Sequence, residues 1–178
     1  PKGNFKSVAL TNSRYFVIEA DEYDTAFFDK RSKFIHYNPF LAVINNIEYD
    51  HADIFKNIDE IIKSFSHMIR LIPSNGTIIV NKNDKNIKKL LQKGYWSKLI
   101  TVDSKKPSGD FNLIKKKQYM LKYNNKNFLL PVNIIGKHNY MNAITAIAAC
   151  RELKVPINTQ IKALSSFKGV SKRTDLVC

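Results

Sequence analysis

The sequence predicts an α/β fold: a mostly parallel sheet flanked by helices, with a small antiparallel subsheet around residues 110–133. Three observations carry that expectation. Short apolar runs alternate with segments of helical period, the pattern of a parallel sheet covered by helices. A length of 178 residues with 44% hydrophobic content suffices for one core of ordinary size. After the loop at 106–110, which holds Pro107, Ser108 and Gly109, the rhythm changes to short apolar runs with no helix between them.

In chain order, residues 15–20 and 41–46 read as the first two strands, each ending in a polar cluster. Ile58, Ile61, Ile62, Phe65, Ile69 and Ile72 recur at helical spacing, and Pro73 closes that helix. Ser74-Asn75-Gly76 turns the chain into a third strand over 77–81, followed by a short helix around 84–92 and a strand around 99–102. Residues 111–116, 118–123 and 128–132 read as antiparallel strands, with Asn124-Asn125-Lys126-Asn127 as a hairpin turn. Gly136 leads into an alanine-rich helix over 139–153, and Pro156 opens a last short helix that ends near Phe167.

The formal charge of +14 raises the question of a nucleic-acid partner. The cations argue against one: they are mostly lysines scattered over helical faces and loops, and only Lys115-Lys116-Lys117 forms a run. That is a solvated surface. Two cysteines, Cys150 and Cys178, make no disulfide framework or metal motif, and Cys150 reads as a small buried hydrophobe in its helix. No apolar run is long enough to span a bilayer and no signal peptide is visible, so the expectation is a cytoplasmic protein with no membrane partner. The chain begins at Pro1 without a methionine and stops at Cys178 just after charged residues, which reads as a piece of a longer protein.

The chemistry concentrates in two acid clusters. Phe16-Val17-Ile18 carries Glu19 to the end of the first expected strand, and Asp21, Glu22 and Asp24 follow. Carboxylates crowded beside an apolar run are costly unless something cationic meets them. Leu41-Ala42-Val43-Ile44 leads in the same way to Asn45-Asn46, Glu48, Asp50, His51 and Asp53. Ligands of open α/β sheets bind outside the carboxyl ends of the strands, and Mg²⁺ often bridges carboxylates to nucleotide phosphates there. Glu19 and His51 are therefore the candidate metal and catalytic residues, with Asp50 or Asp53 able to orient the histidine. The competing reading makes Asp21, Asp24, Asp29 and Asp53 mere helix caps. Asn46 and Asp24 are candidates for contacting substrate.

A third group is Gly136-Lys137-His138-Asn139-Tyr140-Met141-Asn142 at the start of the alanine-rich helix. His138, Asn139 and Asn142 share the first turn, where free N–H groups and amide side chains can meet a nucleotide. Simple capping by Asn139 is the alternative. Arg173 could pair with a terminal phosphate.

Together these pieces resemble the central ATPase domain of the Mur ligases, the ATP-dependent amide-forming enzymes of bacterial peptidoglycan. Glu-Ala-Asp-Glu from Glu19, Asn-Ile-Glu-x-Asp-His-x-Asp from Asn46, Gly-x-His-Asn-x-x-Asn-x-x-x-Ala from Gly136 and Phe-x-Gly-Val-x-x-Arg from Phe167 occur in the family's order. The segment 23–34, Tyr-Asp-Thr-Ala-Phe-Phe-Asp-Lys-Arg-Ser-Lys-Phe, is similar to one branch in particular. That branch joins UDP-N-acetylmuramate to the tripeptide L-alanyl-γ-D-glutamyl-meso-diaminopimelate during cell-wall recycling; the branch that adds L-alanine is the nearest alternative.

The resemblance implies ATP and Mg²⁺ as cofactors, with Glu19 and His51 on the metal. His138, Asn139 and Asn142 would line the adenine and ribose side, and Arg173 would approach the phosphates. It implies a partial central ATP-binding domain over 1–170 and the start of a linker to a C-terminal domain over 171–178. The sequence holds no Gly-x-x-x-x-Gly-Lys-Ser/Thr loop, which the family places N-terminal to Glu19. The chain by itself is therefore expected to be inactive, and a non-catalytic remnant of such a ligase is the competing reading.

Overall fold

The computed structural model describes residues 12–131 and 135–167, and Arg173, Cys178 and the expected linker lie outside them. The first elements are two short strands, β1 (Asp24–Ala26) and β2 (Asp29–Ser32), paired antiparallel as a hairpin and followed by a 3-10 helix, Lys33–His36. Then come β3 (Leu41–Ile44), α1 (Ile58–Leu71), β4 (Thr77–Asn81), α2 (Lys85–Gln92) and β5 (Lys98–Asp103). The chain continues through β6 (Phe111–Lys115), β7 (Tyr119–Tyr123), β8 (Lys126–Leu129), α3 (Lys137–Glu152) and α4 (Ile157–Ser165).

β3 to β8 form one six-stranded sheet in sequence order, parallel from β3 to β6 and antiparallel from β6 to β8. The antiparallel strands expected around 110–133 are β6, β7 and β8, and they extend the main sheet. Their hairpin is tighter than expected. Tyr123 pairs with Lys126, leaving only Asn124 and Asn125 in the turn, both left-handed at φ 47° and 58°. Asparagine tolerates that conformation, and the turn's twist matches that of the flanking strands.

Side chains of β4 alternate across the sheet as strand geometry requires. Ile78 and Val80 join a core with Ile61, Ile62, Ile69, Ile87 and Leu90 from α1 and α2. Ile79 joins a second core on the opposite face with Val102, Phe111, Leu121, Ile144 and Ile147, the last two from α3. Helices therefore cover both faces. In α1 the Asn57 side chain caps the helix by accepting the N–H of Asp59 and Glu60, at 3.0 and 3.1 Å. Asp53 plays no part in that cap. The helix ends because Pro73 lacks an N–H and pushes Ile72 into an extended conformation, ψ 124°.

Where α1 returns to the sheet, Gly76 fits because it has no side chain. A Cβ there would lie 2.5 Å from the Phe40 carbonyl oxygen and 2.7 Å from Ile72 Cγ2. The close approach lets Thr77 N–H reach Phe40 O at 3.0 Å and Lys98 N–H reach Gly76 O at 3.0 Å. Starts of β3, β4 and β5 are thereby brought together.

The largest departure from expectation is at residues 15–20, which form no strand. Phe16 is 65% and Val17 89% exposed. Apolar composition marks a capacity for burial, but a buried strand also needs a paired neighbour and a covering layer. Neither reaches this run among the described residues, and β3 is left as the sheet's edge. Likewise β3 stops at Ile44, so Asn45 and Asn46 lie beyond it. Asp21, Asp24 and Asp29 cap no helix: the chain there forms the β1–β2 hairpin, and the 3-10 helix after it has Ser32 at its N-cap position.

Candidate functional site

The carboxyl end of β3 delivers Asn45 and Asn46 and then a loop wound around its own polar groups. Tyr49 O–H donates to the Phe55 carbonyl at 2.9 Å, and Lys56 N–H donates to Glu60 Oε2 at 2.7 Å. His51 occupies the bend in a left-handed conformation, φ 54°, that a non-glycine residue adopts only when its surroundings enforce it. Here they do. Its N–H donates to Asp50 Oδ1 at 2.7 Å, while its carbonyl accepts N–H bonds from Ile54 and Phe55, both at 2.9 Å. Asp50 is thus the residue that orients the backbone of His51, and Asp53 is exposed.

The imidazole meets the first acid cluster. His51 Nε2 lies 3.4 Å from Glu22 Oε1, and the Tyr23 ring packs against it with centroids 5.2 Å apart. Tyr23 in turn reports how anionic this corner is. Its hydroxyl is pushed above the ordinary tyrosine pKa first by its hydrogen bond to Asp21 and then by burial and the charges of Asp21, Glu19 and Glu22. Lys33 answers part of that charge, its Nζ 3.8 Å from Asp21 Oδ2 and 4.4 Å from the Tyr23 ring centroid.

Glu19 itself is exposed. The carboxylate beside His51 is that of Glu22, three positions on, and the spacing of acids in the sequence carried no signal to choose between the two. Asp24 is engaged elsewhere, in an ion pair with Lys30 at 2.8 Å. Asn46 is exposed.

The third group approaches from α3. Asn45 Nδ2 donates to Asn142 Oδ1 at 3.2 Å, a contact across 97 residues of sequence that ties the end of β3 to the first turns of α3. Gly136, at φ +85°, precedes that helix without a side-chain cap. The His138 imidazole folds back over it, so that a Cβ at 136 would stand 3.0 Å from its Cε1. Asn139 turns its amide to the Ile135 carbonyl at 2.7 Å. Of the three residues expected to meet a nucleotide, the structure brings Asn142 to the β3 end, while His138 and Asn139 hold the helix start.

Among the described residues no group of three or more His, Cys, Asp or Glu is placed to hold a metal ion on protein ligands alone. The donors present still suit Mg²⁺. It takes oxygen ligands, keeps several waters, and is commonly held by one or two carboxylates together with substrate phosphates. Cys150 lies half-buried in α3, its thiol pKa raised by burial, and so acts as a packing residue. No helix among the described residues is long and apolar enough to cross a membrane.

Comparisons with known proteins show the family. The Mur ligase middle-domain profile matches residues 3–150. A UDP-N-acetylmuramate–L-alanyl-γ-D-glutamyl-meso-2,6-diaminoheptandioate ligase of Haemophilus influenzae is 40% identical over 177 residues, covering 98% of the chain and 39% of that protein. Its Escherichia coli counterpart is 41% identical over 181 residues, again 98% of the chain and 39% of the relative. A UDP-N-acetylmuramate–L-alanine ligase of Clostridium novyi is 33% identical, over 96% of the chain and 36% of that protein.

Among solved structures, the tripeptide ligase of Neisseria meningitides superposes with a TM-score of 0.82 at 40% identity, covering 91% of this chain and 50% of that one. The murein peptide ligase of Psychrobacter arcticus gives 0.78 at 38%, covering 92% and 34%. The chain spans about two fifths of the curated relatives' length, 39% in the first two. It belongs to the Mur ligase family, with residues 3–150 matching that family's middle domain.

Proposed function

We propose that this chain is the central part of an ATP- and Mg²⁺-dependent ligase that joins UDP-N-acetylmuramate to L-alanyl-γ-D-glutamyl-meso-diaminopimelate in the cytoplasm. One observation carries the choice of amine: the tripeptide ligases match at 40–41% identity, the L-alanine ligases at 29–35%. Residues 1–170 would belong to the ATP-binding domain, and 171–178 would begin the linker beyond it.

In this reading the muramoyl carboxylate attacks the γ-phosphorus of ATP, releasing ADP and leaving an acyl phosphate. The tripeptide's amine then attacks the acyl carbon, and the tetrahedral intermediate expels phosphate. Mg²⁺, held by Glu19 and His51, would offset the charge that grows on the phosphoryl oxygens. Asp50 and the left-handed turn fix where the His51 imidazole stands, and Glu22 and Tyr23 fix how it faces. His138, Asn139 and Asn142 would line the nucleotide, with Arg173 toward the phosphates. The N–H groups at the start of α3 favour an anion there.

The test is phosphate release from ATP by the full-length protein with UDP-N-acetylmuramate and either amine. Release with tripeptide, and its loss by about a hundredfold or more in Glu19→Gln and His51→Gln, is expected. Release driven only by L-alanine would move the protein to the neighbouring branch. No release with either amine would make it a non-catalytic remnant. The 178-residue chain alone is expected to release none.

A further inference from the structure

The cations in and just after the β1–β2 hairpin have separate partners. Lys30 pairs with Asp24 at 2.8 Å, and the Arg31 guanidinium grips Asp29 with two bonds of 2.9 Å, so both are neutralised within the hairpin. Lys33, directly after β2, turns to the site instead. Its Nζ lies over the Tyr23 ring, 4.4 Å from the centroid, and 3.8 Å from Asp21 Oδ2. Tyr23 is the ring that packs on His51 with centroids 5.2 Å apart, and its hydroxyl is hydrogen-bonded to Asp21. One ammonium thus holds the ring by its face and, through Asp21, by its hydroxyl.

Where Lys33 stands is set by the scaffold. Its N–H donates to the Tyr23 carbonyl at 3.1 Å, which closes the hairpin one pair beyond Asp24 and Ser32. Both of its neighbours in sequence are buried and tied to α1. Ser32 Oγ donates to Ser64 Oγ at 3.2 Å, and Phe34 packs on Phe65 with centroids 5.0 Å apart. A chain of contacts therefore runs from α1 through Ser32 and Phe34 to Lys33, then to Tyr23, and ends on the His51 imidazole.

We propose that Lys33 is a positioning residue of the site: it holds the Tyr23 ring against His51 and so sets how the imidazole faces. The inference rests on the ligase reading above for its effect on turnover. Simple charge compensation is the competing role for the same lysine, and it predicts the opposite sign. Removing a cation beside Glu19, Asp21 and Glu22 would by charge alone tighten the binding of Mg²⁺. Removing a brace on His51 would weaken it, because an imidazole free to turn must be ordered when metal binds.

Two variants of the full-length protein test this. Lys33→Met keeps the length of the side chain and removes its charge; Lys33→Arg keeps a cation over the ring. In Lys33→Met the ¹⁵N signals of the His51 imidazole, assigned by their absence in His51→Gln, should move. The kcat for phosphate release should fall about tenfold and the half-saturating Mg²⁺ concentration should rise about tenfold, with the KM for tripeptide unmoved. Lys33→Arg should restore all three. In a Tyr23→Leu background Lys33→Met should have no further effect, since the lysine acts through the ring. A further effect there overturns the proposal, as do unmoved imidazole signals or an unchanged kcat. A half-saturating Mg²⁺ concentration that falls also overturns it, and makes Lys33 a charge alone. So does a melting temperature about 5 °C lower in Lys33→Met with no recovery of kcat in Lys33→Arg, which would mean a purely structural role. If the wild type releases no phosphate with either amine, the ligase reading has failed. The imidazole signals then judge the proposal by themselves: moved in Lys33→Met and restored in Lys33→Arg supports it, and unmoved overturns it.

Discussion

In β4 and β5, Ile78, Ile79, Val80 and Val102 are completely buried, whereas Phe16 and Val17 ahead of the acid cluster, and Phe27 and Phe28 at the hairpin tip, stand in solvent. Both regions are apolar in sequence, but they are held by different forces. The sheet is fixed by two apolar cores on opposite faces. Between Asp21 and Phe55 the core anchors Phe34, Ala42, Ile44, Ile47 and Phe55, and the site residues between those anchors are held by polar ties: Lys33 to Asp21, Lys30 to Asp24, Arg31 to Asp29, Glu22 to His51 and the wound His51 loop. Exposed ion pairs contribute little to stability, so the site region can be rearranged by ligand at small cost while the scaffold stays put.

The contrast makes graded predictions. The largest effect is expected in the core of the sheet, where Ile144→Ala should cost about 2–5 kcal/mol by urea unfolding. A loss below about 1 kcal/mol would mean that α3 is not packed on the sheet as described.

Next comes Asp103, buried at the end of β5. Burial opposes its ionisation, but the N–H groups of Lys105 and Lys106, the Asn83 amide and the Ser108 hydroxyl outweigh it and hold the carboxyl at about 2. A depressed carboxyl contributes stability above its unfolded pKa of about 4 and loses it as pH falls toward the folded value. Melting temperature should therefore drop between about pH 4 and pH 2, and Asp103→Ala should flatten that drop while costing about 1–3 kcal/mol at neutral pH. An unchanged acid limb would show that the loop at 104–108 is held by something else.

Smaller again is Glu152, which joins Lys98 Nζ at 2.9 and 3.0 Å and accepts from Thr77 Oγ1 at 3.2 Å. Glu152→Gln should cost about 0.2–1 kcal/mol, with the difference shrinking in high salt.

The smallest effect on folding belongs to the site itself. Glu22→Ala should change stability by no more than about 0.5 kcal/mol. It should nevertheless shift the ¹⁵N signals of the His51 imidazole, assigned by their absence in His51→Gln. A large fall in stability with unmoved imidazole signals would reverse the division between scaffold and site.

What could be read from the sequence follows the same division. Helix α1 was legible because its isoleucines repeat with the helical period and Pro73 stops it, and β4 because Ile78, Ile79 and Val80 follow a glycine turn. Those signals are local, and the burial they call for exists in the fold. Residues 15–20 carry the same local signal, but among the described residues no neighbouring strand pairs with them, so composition alone misled. The hairpin at 24–32 alternates too weakly, over strands of only three and four residues, to be seen before folding. For the site, the acid clusters and the amide-rich turn before α3 stood out as residue types. Which carboxylate faces His51, and that Asn45 meets Asn142, are facts of tertiary distance that no spacing encodes.

Gly76 has a consequence for how this protein can vary. Three backbones converge on it, and the first carbon of any side chain would be driven into the Phe40 carbonyl. A single added methyl would have to pry β3 from β4 at their start, and β3 is the strand whose far end carries Asn45 and the His51 loop. The scaffold therefore confines a position remote in sequence from the chemistry to one amino acid. In a saturation screen for the proposed ligase function, substitutions at 76 should be rejected as uniformly as those at the proposed metal ligands Glu19 and His51, though for reasons of space rather than charge.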